Sequence, residues 1–451
     1  MPKNNIRFIS KSIIATSYKK SILSKVLLIL FTISSNYVYA TNGYFRLGYS
    51  AQSRAMGGAG VAAKDDLMAA ASNPAAMRLV NEGYSASIDL FSPVRESSVN
   101  CNGIGACNTT VSDGSSTELF PIPSLGYIRY LDDRSAVGIA IYANGGMHTK
   151  FDRNIFDETF GRINGFAGNT TGAPNVGSQG VDLSQLMIAP SYSRQFGNHH
   201  FGLSVIGAMQ RFRAYGLGAA ASLSADGGSF TNRGFDYSYG VGFRLGWLST
   251  LNQQLTLAAS YTSRLYMTEF DKYSGLFAEQ GDFDIPAQLT LGMAFKATDA
   301  TKLLLDIQHI FYGEVASISN PIFSATELNG VIATSRRLGN SSGIGFGWKN
   351  IWTIKTGISH QFSDKITLRA GFAYNEEPFD SESSFLNIIA PATIKYHVTA
   401  GVSYQISQQN RIDLTYVRAM ENDINTTQPI GAAVNLSMYQ NSFGVNFVHH
   451  F

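Results

Sequence analysis

One periodicity constrains this chain more than anything else in it. From Tyr84 to Phe451 it reads as fourteen segments in which apolar residues alternate with polar or small ones, joined in turn by short and by long polar connections. Strand side chains point alternately to two faces, so such segments offer one face to hydrocarbon and the other to a wet or packed lumen. The cleanest sets Phe235, Tyr237, Tyr239, Val241, Phe243, Leu245 and Trp247 against Asp236, Ser238, Gly240, Gly242, Arg244 and Gly246. Leu255, Leu257, Ala259 and Tyr261 repeat the pattern, as do Tyr396, Val398, Ala400, Val402 and Tyr404. A soluble sandwich alternates too, but aromatics at both ends of the outward stripe suit two membrane interfaces better. The fold class expected is all-β: a closed, antiparallel transmembrane β-barrel of fourteen strands over residues 84–451.

Strands are expected near 84–92, 120–131, 135–146, 183–196, 200–213, 234–249, 254–267, 284–296, 301–314, 350–362, 365–375, 394–406, 410–420 and 437–451. Six connections are short turns and the other seven are much longer, which sorts them onto opposite rims, short turns to the periplasm and long loops outward. The last segment carries Tyr439, Phe443, Val445, Phe447 and Phe451 in register, which resembles the signal read by the outer-membrane insertion machinery. Small inward residues, among them Gly138, Ala140, Gly240, Gly292, Gly357, Gly371 and Gly401, leave room in the lumen. A general porin would use that room as a water channel. Inward charges such as Arg244, Arg264, Lys355, Arg369 and Asp413 are scattered and require partners.

No stretch after residue 40 has the roughly 18 uninterrupted apolar residues of a spanning helix. The first 40 residues contain Lys3, Arg7, Lys11, Lys19, Lys20 and Lys25, an apolar run over 26–33, and Val38-Tyr39-Ala40, with small residues at the spacing a signal peptidase reads. This reads as a signal peptide over 1–40; a mitochondrial presequence competes, but the compact apolar run argues against it. Removing those six cations changes 34 basic against 32 acidic residues to 28 against 32, a mildly acidic chain with no call on nucleic acid. Cys101 and Cys107 share one polar stretch, and in an oxidising exported compartment they are expected to form a small-loop disulfide.

Residues 41–83 do not alternate. They are rich in Ala, Gly and Met, with a short helix expected over 64–71 that ends before Asn73-Pro74. So compact a segment, tethered to the first strand on the periplasmic side, suits folding inside the barrel rather than hanging as a loose tail. Gly43-Tyr44-Phe45, the run Arg54-Ala55-Met56-Gly57-Gly58-Ala59-Gly60 and Asn73-Pro74-Ala75 resemble the N-terminal hatch of the FadL-type long-chain fatty-acid transporters, which include aromatic-hydrocarbon importers of the TodX kind. Phe283-Asp284-Ile285-Pro286-Ala287, Gly347-Trp348-Lys349-Asn350 and the run from Leu368 to Tyr374 extend the resemblance along the chain. It implies a fourteen-strand barrel with an N-terminal plug, working in the bacterial outer membrane as a monomer without cofactor. It also implies passive uptake of hydrophobic compounds, most of all long-chain fatty acids, with capture between outer loops and sideways exit beside a kinked third strand. Lateral exit keeps an apolar solute out of water.

Asn73, with Pro74 and Ala75, forms a corner whose movement would open the pore. Gly57, Gly58 and Gly60 suit close backbone packing rather than a phosphate loop, since no Lys-Ser/Thr follows. In the third strand Gly138, Asn144, Gly145 and Gly146 are candidates for the kink. Phe270, Tyr273, Leu276 and Phe277, opposite Leu217, Leu223 and Phe230, supply apolar loop surface, and Tyr44 and Phe45 would touch a ligand deeper down. By resemblance Lys349 and Arg211 or Arg213 would hold a carboxylate; both arginines share parity with outward Phe201, Leu203 and Val205, so lipopolysaccharide phosphates are the other reading.

Enzymatic readings are weak. His199-His200 and His449-His450 are neighbours that a strand sends to opposite faces, so no metal site is expected. Ser403 and His397 share a face of one strand, with Asp413 nearby in sequence, without further sign of a triad. Energy-coupled import would need a larger plug. Monoaromatic import, a porin and a surface adhesin are the alternatives carried forward.

Overall fold

The computed structural model describes residues 42–101, 110–115, 119–160, 177–322, 327, 332–428 and 431–451. Its wall is a closed antiparallel barrel of fourteen strands: β1 (Gly83–Asn100), β2 (Phe120–Asp132), β3 (Ser135–His148), β4 (Gly180–Phe196), β5 (His199–Tyr215), β6 (Asp236–Thr250), β7 (Leu255–Thr262), β8 (Gln288–Lys296), β9 (Thr301–Ile310), β10 (Ile351–Gln361), β11 (Ile366–Asn375), β12 (Tyr396–Gln405), β13 (Asn410–Thr427) and β14 (Ala433–His450). Neighbours in sequence are neighbours in the sheet, and β14 pairs with β1 from His450↔Gly83 to Ala433↔Asn100, which leaves no open edge. Two short strands lie outside this path: Thr110–Gly114 folds back on the top of β1, and Tyr266–Met267 on β6.

The expected parity holds. Tyr237, Tyr239, Val241, Phe243 and Leu245 of β6 are exposed on the lipid face, while Ser238 and Arg244 between them are buried. All fourteen expected segments have their strand, with instructive differences at the ends. β1 and β14 are 18 residues each, well beyond the ~9–11 that cross a bilayer, so their tops stand clear of the membrane. In β1 the extra residues hid because both faces there are polar, with Arg95 and Ser97 turned inward. The strand expected over 254–267 breaks after Thr262, where Ser263 Oγ replaces a backbone acceptor for Phe243 N–H at 3.0 Å. The strand expected over 301–314 stops at Ile310, because Tyr312 turns inward on a single 3₁₀ turn.

Residues 42–82 fill the lumen. Helix α1 (Ala51–Ala55) starts at Ser50, whose side chain accepts from Ser53 N–H while Ser53 reaches back to Ser50 N–H. Helix α2 covers Ala69–Ser72 only, so the helix expected over 64–71 is largely absent. The reason is local: the Asp66 carboxylate accepts from Met68 N–H at 2.9 Å and from Ser50 Oγ, which holds 64–68 in turns. A 3₁₀ helix, Pro74–Leu79, leads out to β1.

The small inward residues are where this segment touches the wall. A Cβ at Gly371 would collide with Met56 and Gly57, at Gly401 with Ala55, at Gly292 with Val61, at Gly126 with Leu67 and at Gly202 with Pro74 and Ala75. Wall glycines thus form a collar fitted to plug backbone on many sides. Gly57 and Gly58 take left-handed φ of 67° and 85°, and added side chains there would strike Phe372 and Leu47 backbone.

Candidate functional site

The plug is bolted to the wall by buried polar groups. Asp89 of β1 accepts from Arg46 at 2.7 Å and from Arg54, and Asp306 of β9 accepts from Gly60 and Val61 N–H at 2.8 and 3.0 Å. Lys355 donates to Leu47 O at 3.1 Å, and Arg244 donates to Ala70 O at 3.1 Å and to Tyr142. Of the inward charges, Arg244 and Lys355 thus have plug partners, whereas Arg264 pairs with Asp282 and Asp284 of the loop after β7, and Asp413 pairs with Arg411 and Ser403 of the wall. Asn73, fully buried, donates to Val61 O at 2.9 Å and to Trp247 O of β6 at 3.1 Å, and its Oδ1 caps Ala75 N–H at 3.1 Å. One amide thus ties the Asn73-Pro74-Ala75 corner to both plug and wall.

Above the plug stands a column of rings. Phe270, Tyr273 and Phe277 of the loop after β7 surround Phe212 of β5 at centroid distances of 5.6, 4.8 and 4.7 Å. Phe277 meets Phe283 at 4.7 Å, Phe283 meets Tyr44 at 6.1 Å, and Tyr44 packs on Phe45, Tyr312 and Trp348 at 5.1, 5.2 and 5.9 Å. These rings are all buried, as are Leu217, Leu223, Phe230 and Leu276 beside them, so the column is closed by its own side chains. Trp348 Nε1 is held by Asn387 at 2.6 Å, and Tyr312 OH receives Tyr44 N–H at 3.2 Å while donating to Asn42 O at 2.5 Å. Sequence reasoning missed Phe212, Phe283, Tyr312 and Trp348. Parity was the available signal for Phe212, which must face opposite to Arg211 and Arg213.

At the foot of the column the plug replaces a piece of wall. The β2–β3 ladder ends at Ser124↔Tyr142, whereas β3 continues to pair with β4 out to His148↔Asp182, with a register shift between Ala143 and Gly146. Into that divergence the plug inserts Tyr44–Arg46: Arg46 N–H donates to Asn144 O at 3.0 Å, Gly146 N–H to Tyr44 O at 3.0 Å, and Phe45 bridges Gly145. A Cβ at Gly145 would collide with Tyr44 O. The irregularity is thus at Asn144, Gly145 and Gly146. Gly138 lies in a regular part of the ladder, over Met77. A readable signal lay on the facing strand, where Pro121 and Pro123 offer no N–H for a two-sided ladder. A run of hydrogen bonds leaves this point: Tyr49 OH to Asn144 at 2.9 Å, Asn144 to Gln185 at 3.1 Å, Gln185 to Gln210 at 3.1 Å and Gln210 to Phe283 O at 2.8 Å.

The cations named from sequence lie elsewhere. Arg211 and Arg213 face outward, each 3.5 Å from the buried Asp182 carboxylate and stacked on Phe235 at 4.2 and 4.4 Å. Lys349 is exposed and pairs with Asp380 at 2.5 Å, while its neighbour Trp348 is the one that enters the column. His397 sits six residues along β12 from Ser403, ~20 Å away, so it does not reach the serine that contacts Asp413 at 2.5 Å. Cys101 directly follows β1, buried and disulfide-bonded; Cys107 lies outside the described residues.

The profile of the outer membrane protein transport protein family (OMPP1/FadL/TodX) matches residues 45–447. The chain belongs to this family. Its members are outer-membrane transport proteins for hydrophobic compounds, and the barrel described above is their fold. Among solved structures, the Pseudomonas putida toluene transporter TodX is similar at 20% identity and a TM-score of 0.62, over 90% of this chain and 99% of that one. A Pseudomonas aeruginosa FadL homologue is similar at 17% identity and a TM-score of 0.64, over 91% and 100%. A Neisseria meningitidis serogroup B protein named as an outer membrane protein is 23% identical over 232 residues, 46% of this chain; the match spans about half of that relative, 47% of its length.

Proposed function

We propose that this OMPP1/FadL/TodX-family barrel admits uncharged hydrophobic compounds of aromatic size by diffusion, with residues 42–82 as the hatch. The observation that carries this reading is the continuity of the ring column: it runs from the outer-loop Phe270, Tyr273 and Phe277 down to Tyr44 and Phe45, and those two are the residues that pair with the irregular stretch of β3. A ligand that displaces the Tyr44 and Phe45 rings also loosens the backbone closing the β2–β3 divergence. The solute then leaves sideways between these strands, which keeps it in hydrocarbon. Rings of this kind bind apolar and aromatic solutes through area and edge-to-face contacts, with no cation required.

Long-chain fatty acid is the second reading, favoured by the exposed ammonium of Lys349 next to Trp348, which would exchange Asp380 for a ligand carboxylate. The two separate in one binding measurement. Lys349→Ala should leave toluene binding unchanged in either case; a loss of oleate binding of about tenfold would establish the fatty-acid reading.

Gating is tested by a reversible lock. Arg46→Cys with Asn144→Cys places two thiols across the plug–strand contact, where Arg46 N–H meets Asn144 O at 3.0 Å, without adding a side chain at Gly145. Under oxidising conditions toluene uptake into proteoliposomes should fall to the protein-free rate and return on addition of dithiothreitol; uptake unaffected by the closed bond would sink the lateral route.

A further inference from the structure

A recess of about 500 Å³ opens on the outside of the barrel, over the periplasmic halves of β4, β5 and β6 and the adjoining residues 259–261 of β7 and Leu289 of β8. It is within the range of volumes of small-molecule sites (~300–1,000 Å³), yet it faces the membrane rather than the lumen. Its floor is low because Ala259, an outward residue, carries only a methyl group and lies beside the bare backbone of Gly202 and Gly246, and its ridges are outward aromatics, chiefly Phe201, Trp247 and Tyr261. The wall here is one backbone thick: the Asn73-Pro74-Ala75 corner presses on the inner side of Gly202 and Gly246. At the rim, Arg194 lies over the Phe196 ring at 5.7 Å and donates to Tyr192 OH at 3.4 Å, which holds an exposed guanidinium beside an otherwise apolar hollow.

We infer that this recess is a binding site for one glycerophospholipid of the periplasmic leaflet, with an acyl chain along the floor over Ala259 and the phosphate on Arg194. The occupant follows from position and charge. The ridges belong to the lipid-facing set, so water is not the competing solvent, and the nearest rim is that of the short turns, which face the periplasm. An apolar groove ending in a guanidinium matches an acyl chain ending in a phosphodiester. The site is separate from the ring column and does not depend on which compound the barrel carries.

Trp247 lines the recess and reports on it. In detergent micelles, a protein with Trp247 as its only tryptophan (Trp348→Phe with Trp352→Phe) is titrated with dibrominated phosphatidylglycerol. A protein retaining only the lipid-facing Trp352 serves as reference for the general lipid shell. Quenching of Trp247 should saturate near one lipid per barrel, at a concentration about tenfold below that needed for Trp352. Ala259→Phe fills the floor and should raise the half-saturation point by about fivefold or more, and Arg194→Gln should weaken the phospholipid but not dibrominated diacylglycerol. Quenching of Trp247 that rises without saturation, as for the lipid shell, overturns the site. Indifference to Ala259→Phe does the same, and equal weakening of both lipids by Arg194→Gln removes the phosphate contact and with it the phospholipid assignment.

Discussion

Single side chains in this molecule do work that a hydrophobic pattern does not display. Asn73 bonds three backbone groups from full burial, and its loss strands the buried Val61 carbonyl and Ala75 N–H at ~1–3 kcal/mol each and frees the Trp247 carbonyl. Asn73→Ala should leave the barrel folded, with normal heat-modifiable mobility, while raising its conductance in planar bilayers; unchanged conductance would show that this corner does not hold the plug. Asp282, in the loop after β7, is pushed up to about 7 by burial and then by the neighbouring Asp284 carboxylate, against the pull of Arg264 at 3.5 Å. A carboxyl raised in the folded state binds its proton there at pH values where the unfolded chain has lost it, so its contribution is complete below about pH 4 and disappears as pH rises to about 7. Loop 263–287 should therefore exchange amide hydrogens faster, relative to the intrinsic rate, as pH rises across that window, with no further change above it. Asp282→Asn should flatten the profile, and a loop whose relative protection ignores pH in the native protein would contradict the assignment.

At the scale of elements, the decisive fit is that of wall glycines to plug backbone. Gly371 faces Met56 and Gly57, so even Gly371→Ala puts a methyl group into main chain that has no slack. The variant should assemble as a barrel, because β11 keeps all its strand partners, but the plug should seat badly and toluene permeation and ion leakage should both rise. A variant indistinguishable from wild type in both would mean that the collar is not the seal. Strand β3 shows the opposite device. Its outer end is supported on one side by β4 and on the other by Tyr44 to Arg46, so an element that elsewhere would be permanent wall depends here on a segment able to move.

For the whole molecule, alternation alone was enough to read the fourteen strands, their faces, the two rims and the closure of the sheet, because strand geometry has a strict period of two and hydrocarbon tolerates no unpaired backbone. The Gly- and Ala-rich run before the first strand was likewise legible as lumen filling, since so many small residues suit backbone packed against backbone. Ends of strands were less legible wherever both faces turned polar, as at Arg95 to Asn100, or where a side chain took over a ladder bond, as at Ser263. The site was the least legible part. Arg211 and Arg213 draw attention in the sequence by their charge, but the pleat turns them to Asp182 and sends Phe212 inward. Local period determines which side of a strand a residue faces; it carries nothing about which distant loop or plug residue lies across the lumen. The ring column joins residues from 44 to 348, and the pairing of Phe45 with Gly145 spans 100 positions of chain, contacts that exist only once the barrel has closed around its own N-terminal segment.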